Sequence, residues 1–158
     1  KTEEELDFII LYSNKTLEDV NKCVDTIDKK AWSFLNISLI AVTSLINVYF
    51  FKDNFRTELL IPLFLLITGF CLSIILCYFA YKPRNNYYTS GQSTEVFISN
   101  INTDSFYENL HGQKVGLCIN NDFKIKNNQK INNNKALYLK FAILSIVISI
   151  IFSIIYLL

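Results

Sequence analysis

Three runs of the chain, Ala31–Phe51, Leu59–Tyr81 and Phe141–Leu158, contain no Asp, Glu, Lys or Arg. At a rise of 1.5 Å per residue the first reaches roughly 31 Å, enough for a bilayer hydrocarbon core. Each run is expected to be a transmembrane helix. Lys29 and Lys30 precede the first, the short polar stretch from Lys52 to Glu58 joins it to the second as an antiparallel hairpin, and Lys82, Pro83 and Arg84 close the second. Ahead of the first run Leu6, Ile10, Ser13, Leu17, Val20, Val24, Ile27, Ala31 and Phe34 recur in alternating steps of four and three. That is a heptad seam. No Gly or Pro interrupts it, so one nearly continuous helix is predicted from about Thr2 to Phe51. Its seam, in particular Leu6, Ile10, Leu17, Val20, Val24 and Ile27, needs a partner, either the same helix of another subunit or a later helix of its own chain. Ser13 and Asn14 weaken the seam at its middle.

Between the second and third runs the pattern is weaker. Ser105 and Glu108 have capping-box spacing, and Thr103 and Asp104 are alternative starts of a helix whose face holds Phe106 and Leu110. Gly112 and Gly116 predict an interruption near His111 to Gly116, and Val115 to Ile119 could equally be a short strand. The Asn-rich run Asn127 to Asn134 reads as a polar helical turn or a loop, and Tyr87 to Gln92 as a loop. The predicted fold is therefore all-α and integral to the membrane. It has a heptad helix over 1–30, a transmembrane hairpin over 31–81 (spans 31–51 and 59–81), a partly helical polar region over 82–140 and a third span over 141–158.

Composition narrows the class. The 158 residues are 51% hydrophobic and only 18% charged, too apolar for an ordinary soluble domain. A net charge of +1 leaves no field to hold nucleic acid, so binding of a nucleic-acid duplex is not expected. Cys23, Cys71, Cys77 and Cys118 form no C-x-x-C pair, which supports neither a disulfide framework nor a metal site. Lys1 to Asp7 is acidic without an apolar core, so no cleavable signal peptide is expected before the first span. Five Lys or Arg precede the first span, two lie in the hairpin loop and eight lie between Lys82 and Lys140. The positive-inside rule then places the amino terminus and the central region in the cytoplasm and the carboxyl end outside.

Ser33, Asn36, Thr43 and Asn47 share one face of the first span, because steps of three and four return to the same side of a helix. An unsatisfied polar group is costly in lipid, so this face must point at protein or water. It either lines a pore in an oligomer or makes interhelical hydrogen bonds. Ser145, Ser149 and Ser153 repeat every four residues in the third span, and Gly69 and Ser73 do so in the second, the small-residue spacing of close helix packing. The spans hold no Asp, Glu, Lys, Arg or His, which argues against a coupled transporter or voltage sensor. Lys82, Arg84, Tyr87 and Tyr88 combine cations and π-faces at the end of the second span. Such a group suits a phosphorylated ligand carrying a base, and equally marks a membrane border. His111 is the one histidine and lacks a second ligand or nucleophile. No triad, carboxylate pair, phosphate loop or metal motif is present, so an enzyme is not expected and no cofactor is called for.

Asp28-Lys29-Lys30-Ala31 at the end of the seam, two close spans, Lys82-Pro83-Arg84, and a polar region returning through Asn134-Lys135-Ala136 into a last span together resemble a known group. The chain is similar to the small transmembrane effectors of bacterial anti-phage systems, the Pycsar-type transmembrane effectors and related SLATT-like proteins. The resemblance implies an inner-membrane effector, closed until a nucleotide signal is made, that then oligomerises or opens and compromises the membrane. It carries over no catalytic residue and no nucleotide motif, and the chain lacks a distinct sensor domain beyond its central residues, which leaves room for a cytoplasmic protein trigger. The expected partners are the lipid bilayer and further copies of the chain. The contrasting expectation is a non-conducting anchor that recruits a cytoplasmic partner through its seam.

Overall fold

The computed structural model describes residues 2–51, 59–83, 87–88 and 106–158. Among the described residues three helices follow in chain order: α1 Glu3–Phe51, α2 Leu60–Tyr81 and α3 Phe106–Leu157. All three are long and apolar enough to cross a membrane, and no strand occurs among the described residues. The architecture is that of an all-α integral membrane protein.

The start of α1 is built into its sequence. Thr2 Oγ1 accepts from the Glu5 amide at 3.3 Å while the Glu5 carboxylate accepts from the Thr2 amide at 3.0 Å, a reciprocal capping box. Glu3, Glu4 and Glu5 place negative charge in the first turn, where the helix dipole favours it. In α2, Pro62 sits in the first turn, where its missing N–H is not needed. The helix stops at Tyr81 because Pro83 forces Lys82 into an extended conformation (φ −49°, ψ 126°).

Helix α3 departs from the expectation. The interruption predicted near His111 to Gly116 is absent, Val115 to Ile119 is helical and not a strand, and Asn127 to Asn134 is uninterrupted helix and not a loop. A Cβ at Gly116 would meet nothing within 4 Å, so this glycine costs the helix some propensity without serving a turn. The alternative starts Thr103, Asp104 and Ser105 lie outside the described residues, as does the hairpin loop from Lys52 to Glu58.

The chain divides into two compact units. The first combines residues 1–24 with 84–132. Here Leu6, Leu17 and Val24 of the seam are buried, Ile10 and Val20 are partly so, and Leu17 is fully enclosed. The seam thus finds its partner within its own chain, on α3. The α3 residues buried in this unit are Asn121, Asn128 and Asn132, so its interior combines hydrocarbon from α1 with amides from α3.

The second unit combines residues 25–83 with 133–158. Its core is Ala31, Cys77, Ala80, Leu139 and Ala142, with Phe34, Leu35, Leu76 and Tyr138 packed around it. Small side chains let the helices approach closely, the usual solution where lipid supplies no hydrophobic drive between spans. Gly69 is the tightest point, since a Cβ there would collide with Cβ and Oγ of Ser149. Ser145 Oγ donates to the Gly69 carbonyl at 3.3 Å and Ser153 Oγ to the Pro62 carbonyl at 3.1 Å, while Ser38 and Ser73, both fully buried, share a hydroxyl hydrogen bond of 3.3 Å. Trp32 packs on Tyr81 (5.4 Å between ring centres) and Phe79 on Tyr138 (5.9 Å). These amphipathic rings gather where Lys29, Lys30, Lys82 and Lys140 flank the apolar runs, as rings at a membrane border do.

Gly69→Ala is expected to overpack this contact and cost about 1–3 kcal/mol, read as a lower melting temperature in detergent. Adding Ser149→Gly should recover part of the loss, because it removes the two side-chain atoms the new methyl group strikes and leaves the Ser145 carbonyl.

Candidate functional site

Two polar systems stand out, one turned inward and one outward. The inward system joins α1 to α3. Asn121 Nδ2 donates to Ser13 Oγ and to Asn14 Oδ1, both at 2.9 Å. Asn128 Nδ2 donates to Asn21 Oδ1 at 3.1 Å and to the Tyr88 carbonyl at 2.6 Å, while its Oδ1 accepts from the Tyr88 amide at 3.0 Å. The side-chain amide therefore pairs with the backbone of Tyr88 as a neighbouring strand would. Asn132 Nδ2 donates to the Val20 carbonyl at 2.8 Å, and Tyr87 Oη donates to the same carbonyl at 3.1 Å. Asn132 Oδ1 is the one buried polar atom without a partner among the described residues.

Asp7 and Lys114 form an ion pair at 2.7 Å in the same unit. The carboxylate, accepting that hydrogen bond, holds the Lys114 ammonium above its ordinary pKa. On the outer surface the Lys22 ammonium likewise holds Glu18 below the usual carboxylate value and is itself raised by it. In the second unit Lys135, only 3% exposed, donates to both oxygens of Asp28 at 2.7 and 2.9 Å.

A single separation runs through these contacts. Asn14 to Asn121, Asn21 to Asn128 and Asp28 to Lys135 are each 107 residues apart, and Asp7 to Lys114 keeps the same interval. On α1 the four positions are spaced by seven, and so are their partners on α3. The two helices run in the same direction in a fixed register, with ionic pairs at either end of the series and amide pairs between. A slip by one heptad would set carboxylate and ammonium against amides, which opposes the wrong register as polar groups in helix interfaces do elsewhere. The motifs Asp28-Lys29-Lys30-Ala31 and Asn134-Lys135-Ala136 are joined by this last ion pair.

The outward system is the polar face of the first span. Ser33, Thr43 and Asn47 are exposed and Asn36 is half-buried. The two hydroxyls are satisfied within the helix: Ser33 Oγ donates to the Lys29 carbonyl at 3.0 Å, and Thr43 Oγ1 to those of Leu39 and Ile40. Neither amide of Asn36 and Asn47 has a partner among the described residues. The small residues of the other spans are placed differently: Gly69, Ser73, Ser149 and Ser153 are buried and Ser145 is partly so.

Tyr87 and Tyr88 are half-buried against their own unit, Tyr88 with its ring 5.9 Å from that of Phe123. Lys82 is exposed in the bend after α2, and Arg84 lies outside the described residues. His111 is exposed, and no group of side chains able to hold a metal ion occurs among the described residues. The sequence places Asp28 and Lys135 in motifs without pairing them, and Ser38 and the α3 asparagines are not among its candidates. The spacing of seven through Asp7, Asn14, Asn21 and Asp28, and through Lys114, Asn121, Asn128 and Lys135, is the signal that would have found most of them. Ser38 continues Leu17, Val24 and Ala31 by one more heptad.

These features define a three-span helical membrane protein whose polar unit is built on a same-direction helix pair. The family model of the Pycsar effector protein domain matches residues 12–158. The chain belongs to that family and is a multi-pass membrane effector of anti-phage defence. No curated protein and no solved structure matches it.

Asp28→Asn leaves the Lys135 ammonium enclosed without a counter-charge. A loss of about 3 kcal/mol is expected, the low end for breaking a buried pair because Asp28 is partly wetted. Thermal unfolding in detergent checks it, and the exchange Asp28→Lys with Lys135→Asp should restore part of the loss.

Proposed function

We propose that the chain is an oligomeric effector of the bacterial inner membrane that opens a pore, or otherwise permeabilises the bilayer, when a cytoplasmic signal reaches it. The amino terminus and central region face the cytoplasm, following the distribution of Lys and Arg, and the carboxyl end faces outward. The signal is a nucleotide or a protein bound by the cytoplasmic part. The effector performs no covalent chemistry of its own.

The observation that carries this reading is the outward amide pair. Asn36 and Asn47 sit on an apolar helix without partners among the described residues, and lipid cannot satisfy them. A second copy can, or water can, and a ring of first spans turned on this face offers both. The first span is also the least covered of the three: 6% of its most apolar window is buried within the chain, against 28% and 22% for the other two. A signal with higher affinity for the conducting arrangement would shift the population towards it.

The test is release of dye from liposomes that hold the purified protein, on adding candidate cyclic nucleotides or extracts of phage-infected cells. Signal-dependent leakage is expected. Asn36→Leu with Asn47→Leu removes two interhelical hydrogen bonds of roughly 0.6–1.7 kcal/mol each, which lowers leakage by roughly ten- to 300-fold. Undiminished leakage in the double variant would take the pore away from this face. No leakage under any signal, from a protein that stays monomeric, would point instead to a non-conducting anchor.

A further inference from the structure

The first unit exposes apolar side chains that lipid does not account for. Phe8, Leu11 and Tyr12 are 69%, 70% and 65% exposed, and Ile119 and Phe123 are 66% and 59% exposed. These values equal those of side chains on the membrane spans such as Phe64, at 67%. Yet the five lie among charged residues, well before the apolar runs of α1 and α3. Phe8, Leu11 and Tyr12, at i, i+3 and i+4, form a patch on the side of α1 away from Leu6 and Leu17. Ile119 and Phe123, at i and i+4, form another on α3. Contiguous apolar surface of this kind in a polar setting marks a contact with another macromolecule.

Charge identifies the partner. Residues 3–24 of α1 hold six acidic and two basic side chains, and residues 111–132 of α3 hold one acidic and four basic. Each patch thus sits in a field of opposite sign to the other. The register sharpens the match, since it sets Tyr12 level with Ile119, Lys15 level with Asp122 and Asp19 level with Lys126. A second helix pair laid alongside in the same direction would bring apolar against apolar and opposite charges together at both flanking levels.

We propose that copies of this chain associate through the first unit, the acidic Phe8–Leu11–Tyr12 face of one copy docking on the basic Ile119–Phe123 face of the next. The interface is heterologous, two different patches of one surface, and so adds copies in a ring or an open row and does not stop at a dimer. It deepens the oligomeric reading above and rests on it. It assigns the assembly contact to the outer faces of α1 and α3, since the heptad seam is consumed within the chain.

The test is disulfide capture in membranes between two differently tagged copies, with the four native cysteines replaced by serine or alanine. One copy carries Tyr12→Cys and the other Ile119→Cys, so that no crosslink can form within a chain. A crosslinked dimer bearing both tags is expected, and none from copies that both carry Tyr12→Cys or both carry Ile119→Cys. Lys15→Cys with Asp122→Cys, two exposed positions at one level of the same register, serves as a second pair in case one substitution disturbs folding. Crosslinks only between like positions would mean a two-fold interface and overturn the proposal. So would no crosslink from thiols shielded from a water-soluble maleimide, because another occupant then covers these faces. An oligomer retained in detergent without the mixed crosslink would sink this interface and leave the oligomeric effector standing, whereas a monomer throughout would sink both.

Discussion

A fully enclosed amide has four hydrogen-bonding positions and tolerates few being left empty, and Asn128 fills three of them from two different segments. Its Nδ2 reaches Asn21 on α1, and both of its polar atoms hold the backbone of Tyr88. Most of the first unit's order follows from that requirement, because an unpaired buried amide costs about 1–3 kcal/mol. It places Tyr88 over Phe123, Tyr87 over the Val20 carbonyl, and α1 and α3 in register. An apolar core of the same volume would hold the helices as firmly but let them slide. Amides give up some stability in exchange for a single alignment.

The two polar systems use the same residue types to opposite ends. Hydroxyls in all three spans bond to carbonyls of their own helix, and those of Ser38, Ser73, Ser145 and Ser153 also join one helix to another. Asparagines in the first unit do likewise across two helices. Asn36 and Asn47, on the uncovered face of the first span, are left to whatever lies beyond it. Inward amides fix the alignment of two helices, and outward amides are left without a partner among the described residues.

Much of this was legible in the sequence. The three apolar runs, the uninterrupted α1 and the inward side of the Leu6–Leu17–Val24 seam all follow from spacing and hydropathy. The seam's partner did not follow, because a search for apolar periodicity passes over a helix whose inner face is Asn121, Asn128, Asn132 and Lys135. Asn-rich composition and Gly112 and Gly116 argue locally for a loop, and tertiary hydrogen bonding overrides that preference. The contact of Gly69 with Ser149 was visible only as small-residue spacing in each span, not as a pairing of the two. Arg84 and Ser105, and with Ser105 its capping box with Glu108, fall outside what the described residues can show.

The interval of 107 residues also dictates an order of events during synthesis. At about 5–20 residues per second a ribosome needs roughly 5–20 s to deliver Asn121 after Asn14 has emerged. Until then Leu6, Leu17 and Val24 have no surface of their own to rest on, and loop closure over so long a stretch is slow compared with forming a hairpin. The newborn amino-terminal helix therefore waits with its apolar edge uncovered. A nascent effector depends for those seconds on a chaperone, on the membrane or on a neighbouring chain to shield that edge, which makes crowded translation of this protein prone to pairing between wrong copies.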